Sequence, residues 1–260
     1  MRIATWNVNS VRQRLHFLSG WLKDNAIDVA CLQEIKCTDE NFPRQEFEDI
    51  GYNVETFGQK TFNGVAILSK FPIEDIRRGL PGFEHDPLSR YIEASIVTKK
   101  GAARIASIYA PNGNPLGTEK FTYKLEWLEK LRLHAQQLLM MEEPIVLTGD
   151  FNIIPENKDV HDPRAWVNDA LFQPESRAAY RALVNLGYTD AFRLFETGDG
   201  HYTFWDYQAG AWQKNNGIRI DFAMLSPQAV DILKSCTIDK EPRALEKPSD
   251  HVPVITVLDI

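Results

Sequence analysis

The sequence predicts an α/β sandwich in which short strands form packed sheets beneath a few covering helices. Three observations carry that expectation. Apolar runs rich in Val and Ile stop at a polar residue, amphipathic stretches with helical spacing separate some of them, and four strand-like segments succeed one another between Tyr52 and Ile108. Runs of this length bounded by turn residues mark buried strands, and strands that follow each other without helix pair antiparallel.

In chain order, Ile3 to Trp6 is the first run and ends at Asn7, and Val11 to Lys23 then places Leu15, Leu18 and Leu22 on one helical face. Val29 to Leu32 is a second strand, ending at Gln33-Glu34. Tyr52 to Phe57, Val65 to Leu68, Tyr91 to Val97 and Ala103 to Ile108 give the antiparallel series, the last stopping at Tyr109. Tyr123 to Met140 is a long helix with Leu125, Leu128, Leu131 and Leu138. Ile145-Val146-Leu147 runs into Thr148-Gly149-Asp150, and Arg177 to Leu186 is a third helix. Arg219-Ile220-Asp221-Phe222 and Val254 to Leu258 are late strands. The order strand, polar residue, helix at Trp6-Asn7 and Val11 is echoed from Gly149-Asp150-Phe151-Asn152, as in two similar halves packed sheet against sheet.

No Gly/Ser/Pro-rich linker interrupts the 260 residues, so a single domain over 1–260 is expected. A hydrophobic fraction of 43% and a charged fraction of 25% exclude a disordered or fibrous chain. Cys31, Cys37 and Cys236 are scattered and lack zinc-like spacing, which points to a reducing compartment. There is no basic leader ahead of an apolar segment, and no run approaches the roughly 18 apolar residues of a spanning helix. The expectation is a cytoplasmic monomer with no membrane partner. A net charge of -7 argues against a nucleic-acid partner only at first sight, because carboxylates that hold a divalent cation present a positive ion to the ligand.

Asn7, Glu34, Tyr109, Asp150, Asn152 and Asp221 all fall where an apolar run stops, the place from which a rigid sheet aims side chains into a cleft. Asp250 and His251 stand together in Pro248-Ser249-Asp250-His251-Val252-Pro253. Neighbours on a regular strand face opposite ways, so the prolines must impose a turn if both are to serve one site. The set Asn7, Glu34, Asp150, Asn152 and Asp250 is rich in oxygen and free of cysteine, which suits Mg²⁺ or Mn²⁺, with His251 beside it as a nitrogen donor. Asp221 inside an apolar strand requires a partner, and His251 is the natural one. Such a set supports phosphate-ester hydrolysis: Glu34 and Asp250 carry the metal, and Asp150 takes a proton from a water that Asn152 holds in line. His251 leans on Asp221 to meet charge on the phosphate, and Tyr109 donates to it.

Six motifs, in order over nearly the whole chain, resemble the exonuclease III branch of the endonuclease/exonuclease/phosphatase superfamily. They are Thr5-Trp6-Asn7-Val8-Asn9, Leu32-Gln33-Glu34-Ile35-Lys36, Tyr109-Ala110-Pro111-Asn112, Thr148-Gly149-Asp150-Phe151-Asn152, Gly217-Ile218-Arg219-Ile220-Asp221 and Lys247-Pro248-Ser249-Asp250-His251. The resemblance implies a four-layer αββα sandwich of the DNase I-like type, with two mixed sheets flanked by helices. It implies a Mg²⁺-dependent AP endonuclease that cuts double-stranded DNA 5′ to abasic sites, with 3′-to-5′ exonuclease and 3′-phosphatase or phosphodiesterase activity on blocked 3′ ends. By position it gives Glu34 and Asp250 to the metal, gives Asn7, Asp150 and Asn152 to metal or water placement, and pairs Asp221 with His251. It also implies Phe204, Trp205, Ile218 and Ile220 as walls of a pocket for a flipped, baseless sugar, and Asn9, Arg90 and Asn112 as contacts to the DNA backbone. Arg12, Arg14, Lys36, Lys214 and Arg219 would supply a basic rim. The short connection Gly113 to Thr118 and the polar Gln208 depart from the family pattern and leave the balance of abasic-site and exonuclease activity open. Two other readings compete: a phosphatase or phosphodiesterase for a lipid head group or small nucleotide, and a non-catalytic DNA-binding relative. The intact acidic set argues against the second.

Overall fold

The computed structural model describes every residue from Met1 to Ile260. The chain opens with β1 (Arg2–Asn7), α1 (Val11–Asp24), β2 (Val29–Gln33), α2 (Arg44–Glu48), β3 (Asn53–Phe57) and β4 (Val65–Ser69). β5 (Ile73–Arg78), β6 (Tyr91–Val97), β7 (Ala102–Tyr109), α3 (Glu119–Leu139) and β8 (Ile145–Asp150) follow. The last stretch holds α4 (Pro174–Leu186), β9 (Thr189–Asp190), β10 (Asp221–Leu225), α5 (Pro227–Asp231), β11 (Leu233–Ile238) and β12 (Val254–Leu258). α3 starts earlier than its leucine pattern because the Thr118 hydroxyl caps it, and α4 starts at Pro174, whose fixed φ suits a first helical position.

The strands form two six-stranded mixed sheets, in the orders β11-β12-β1-β2-β4-β3 and β5-β6-β7-β8-β10-β9. Each has one parallel pair near its centre, β1 with β2 across α1 and β7 with β8 across α3. Parallel neighbours need a crossover long enough to hold a helix, and those two helices supply it. The internal echo is therefore β1-α1-β2 matched by β7-α3-β8. It does not begin at Gly149: Asn152 turns into the left-handed region (φ 49°), and the chain leaves the sheet irregularly instead of entering a helix.

Val29, Cys31, Val65 and Ile67 of the first sheet meet Ile92, Ala94, Ile105 and Val146 of the second. Their alternate neighbours Ala30, Leu32, Ala66 and Leu68 pack under Leu18, Leu22 and Phe47 of α1 and α2. Ile108, Leu147 and Phe222 pack outward against Trp127, Leu131, Tyr180 and Leu183 of α3 and α4. Four layers result, helix, sheet, sheet, helix, and central strands buried on both faces appear in sequence as unbroken apolar runs. No helix is long and apolar enough to cross a membrane.

Two local devices place the strand ends. The buried Gln33 side chain donates from Nε2 to Thr5 Oγ1 and to Ser107 Oγ, 3.0 Å each, and Ser107 Oγ donates to Leu32 O at 3.1 Å, stitching the sheets together near one edge. Gly149 has φ 149°, and a Cβ there would stand 2.0 Å from Ile108 O, so only glycine lets β8 lie against β7 at this point. The late strand begins at Asp221, two residues later than the expected start at Arg219. Arg219 N donates to Asp159 O (2.8 Å) and Ile220 N to Thr203 Oγ1 (3.1 Å), so both amides are satisfied outside the sheet ladder.

Candidate active site

β1 and β2 run parallel with Asn7 beside Gln33, so Asn7 and Glu34 leave the first sheet at one edge. In the second sheet Tyr109 pairs with Asp150 and Asp150 with Asp221, which brings these three to the facing edge. Asn7 spans the gap: its Nδ2 donates to Glu34 Oε1 (2.8 Å) and to Asp150 Oδ2 (2.9 Å). The Ser249 hydroxyl donates to Asn7 O (2.7 Å) and accepts from His251 N (3.2 Å), which forms the turn expected between the prolines. His251 Nδ1 then lies 2.9 Å from Asp221 Oδ2, and its Nε2 lies 3.7 Å from Asp150 Oδ2. Phe204 stands edge-on to the imidazole with centroids 5.0 Å apart.

Glu34, Asp150 and His251 each offer a ligand atom within 4.8 Å of the others. The carboxylate oxygens fit a divalent cation, whereas His251, with Nδ1 held by Asp221, offers Nε2 to a metal only when the ring is neutral. Asp250 is not in this triplet. Its Oδ1 accepts from Asn9 Nδ2 at 3.0 Å and from Ser249 Oγ at 3.4 Å. The turn that holds Asp250 beside His251 aims the two at different partners, and Asn9 and Lys36 link Asp250 to Glu34.

Burial sets unusual ionisation here. Burial works to raise the Glu34 carboxyl, but the Lys36 ammonium at 2.9 Å and the Asn7 amide outweigh it and hold it below the ordinary range. Asp150 is pushed up to about 7, by burial first and by the charges of Asp221 and Glu34, against the pull of His251. Burial works to lower His251, yet Asp221 and Asp150 carry it up to about 10, so the imidazolium persists at neutral pH. Burial, then Glu34 and Asp150, push the Tyr109 phenol well above its usual value, which keeps it a proton donor.

The His251 shift has a measurable consequence. A cation whose pKa is raised on folding stabilises the fold fully below its ordinary value near 6.5 and loses that contribution as pH rises through about 10. The melting temperature of the metal-free protein is therefore expected to fall across this window, and Asp221→Asn to flatten the fall. A wild-type curve no steeper than the variant's would show that the imidazolium is not paired this way.

The other expected site residues divide by burial. Arg90 lays its guanidinium 4.9 Å over the Tyr109 ring and donates to Tyr109 O at 3.2 Å. Asn152 donates from Nδ2 to Ala110 O (2.9 Å) and accepts at Oδ1 from the exposed Asn112 (3.3 Å), while its own amide N donates to Asp150 Oδ1 (2.9 Å). Asn9 links Lys36 to Asp250. Phe204 is half-buried beside His251. Trp205, Ile218 and Ile220 do not reach the surface. Trp205 is 0% exposed, donates from Nε1 to Asn215 Oδ1 and stands edge-on to Trp212; Ile218 and Ile220 pack with Ile154, Val160 and Phe172. The bridges of Ile218 to Val160 and to Phe204 turn this segment inward, so these three back the wall and Phe204 alone faces outward.

The basic rim is thinner than expected. Arg219 is buried between Asp159 (2.6 Å) and Asp190 (2.7 Å), and Arg14 is spent on Tyr207 Oη and Pro248 O. Arg12 and Lys36 of that rim, joined by Lys60, line a groove of about 610 Å³, and Lys36 also pairs with Glu34 at 2.9 Å. Tyr207, whose hydroxyl also accepts from Asn9 at 3.4 Å, has no signal in the sequence beyond its neighbours. Lys124 does have one: it stands in helical register with Leu128, Leu131 and Leu138, a charge on an apolar stripe. Burial draws its ammonium down to about 7 against Asp150 and Asp169.

The Endonuclease/Exonuclease/phosphatase family matches the chain over residues 4–251. Exodeoxyribonuclease III of Haemophilus influenzae is 34% identical over 98% of both proteins. An AP endonuclease from Archaeoglobus fulgidus superposes with a TM-score of 0.94 at 38% identity, covering 100% of each chain. A 3′ phosphatase from Neisseria, solved bound to a product DNA hairpin, gives 0.94 at 36% identity with the same coverage. Matched by the family over residues 4–251 and by these proteins over nearly its whole length, the chain belongs to the endonuclease/exonuclease/phosphatase family, in the branch of exodeoxyribonuclease III and the AP endonucleases.

Proposed function

We propose that this protein is a Mg²⁺-dependent DNA-repair phosphodiesterase that incises double-stranded DNA 5′ to abasic sites and trims blocked 3′ ends as a 3′-to-5′ exonuclease and 3′-phosphatase. The observation that carries the reading is the meeting of Asn7 and Glu34 from one sheet with Asp150, Asp221 and His251 around a single edge. Glu34 and Asp250 would hold the ion, with Asn7 and Asn152 at its border; Mg²⁺ is favoured over Mn²⁺ only by the hardness of the oxygen donors. When bound, the metal supplies charge neutralisation at the phosphate oxygens.

The chain's own groups do the rest. Asp150 accepts the proton of the attacking water, a task suited to a carboxyl poised near 7. Asn152, anchored through Nδ2, presents Oδ1 to that water. The His251 imidazolium, oriented by Asp221, and the Tyr109 phenol donate to phosphate oxygens as charge grows there. Asn9, Arg90 and Asn112 meet backbone phosphates, and Phe204 offers the apolar surface for a sugar that lacks its base.

The test is a duplex carrying one abasic analogue, incubated with Mg²⁺ and with excess chelator. Expected is a single cut immediately 5′ to the analogue, lowered at least about a thousandfold by the chelator. An intact duplex alongside turnover of a soluble phosphoester would overturn the DNA reading in favour of a small-molecule phosphatase.

A further inference from the structure

α3 packs Trp127, Leu128, Leu131, Ala135 and Leu138 against the outer face of the second sheet. Lys124 stands one turn earlier on that stripe and is 0% exposed. A charged side chain keeps such a place only when its donors are met. Lys124 Nζ donates to the backbone carbonyls of Asn112 (3.0 Å) and of Asn152. These residues belong to different irregular segments, 110–114 after β7 and 151–155 after β8. The two segments also touch directly, Asn152 Nδ2 donating to Ala110 O (2.9 Å) and Asn112 Nδ2 to Asn152 Oδ1 (3.3 Å), but both bonds run through the Asn152 side chain, whereas the lysine ties the backbone at 112 to the backbone at 152. Gly113 is shaped around the lysine: with φ +90°, a Cβ there would stand 2.6 Å from Lys124 Cδ.

We propose that Lys124 is a positioning residue that latches the two site loops to each other and to α3, setting where Asn112 and Asn152 present their side chains. It touches no substrate. An amine and an ammonium both carry enough protons for two carbonyls, so the latch does not depend on the lysine's charge. The inference rests on reading Asp150 and Asn152 as the reacting end of the site. Its reach is large because an ångström of misplacement at a reacting centre costs about a hundredfold in rate.

Lys124→Met keeps the aliphatic stem and removes the donors, and Lys124→Arg restores donors to both carbonyls. Hydrogen exchange of segments 110–114 and 151–155 is measured first, then kcat and KM on a DNA substrate the wild type cleaves. For Lys124→Met, exchange in both segments is expected to rise about tenfold with β8 unchanged, and kcat to fall about 30-fold with KM within about threefold. Lys124→Arg should regain most of both. Wild-type exchange in Lys124→Met would overturn the latch, as would a kcat that falls only with the folded fraction, or an arginine variant no better than methionine. The exchange readout needs no reaction, so it stands or falls apart from the proposed substrate.

Discussion

Asp150→Asn is expected to lower turnover about 10³- to 10⁴-fold while DNA affinity stays equal or tightens. The asparagine keeps the shape of the side chain at the end of β8, and the Asn152 amide can still donate to its oxygen. What disappears is the only buried carboxylate that lies within reach of Glu34, His251 and Asn7 together. The proposed proton acceptor is lost, and so is one negative charge facing an incoming phosphate, which is why binding is not expected to suffer. Single-turnover rates beside equilibrium titrations of DNA separate the two effects. Retention of more than a tenth of the wild-type rate would remove Asp150 from proton transfer.

Asp221→Asn should lower turnover about 10²- to 10³-fold with KM within about threefold. Asp221 is buried, and its role runs through His251 Nδ1 at 2.9 Å. An amide in its place offers a donor where the imidazole also needs to donate, so the ring loses its orientation and most of the reason to stay protonated. Arg90, Asn9 and Asn112, the groups proposed to meet backbone phosphates, are untouched by that change. Equal losses of affinity and rate would count against the orienting role.

The central strands were legible in the sequence because both faces of each are covered, which leaves apolar runs that only a sandwich interior explains. The polar stops at Asn7, Glu34, Tyr109, Asp150 and Asp221 were legible for the same reason: a polar residue ending a buried strand has to meet something. The crossover helices were legible as stripes, but the pairing of β7-α3-β8 with β1-α1-β2 was not. The turn after Asp150 imitates a strand-to-helix junction until the left-handed Asn152 is seen. Burial of single side chains was the least legible property. Trp205, Ile218 and Ile220 occupy positions that the resemblance gives to a pocket, yet their side chains are packed by partners distant in sequence, Asn215, Trp212, Val160 and Phe172. Arg219 is taken from the surface by Asp159 and Asp190 in the same way. Such pairings follow from tertiary contacts and leave no local trace, whereas Lys124 left one, a charge in register with Leu128 and Leu131 that the leucine pattern starting at Leu125 passes over.

The seam that Gln33, Thr5 and Ser107 stitch between the sheets gives the site a mechanical character. Asn7 and Glu34 ride on one plate, Tyr109, Asp150 and Asp221 on the other, and His251 approaches from just ahead of β12 on the first. The bonds Asn7 to Asp150 and His251 to Asp221 therefore both cross from plate to plate. Alignment of two rigid bodies is what the chemistry reads, much as a lock reads the seating of its bolt. A substitution deep in the interface, at Ala94 or Val146, can tilt one plate on the other and slow the reaction without touching a reacting atom.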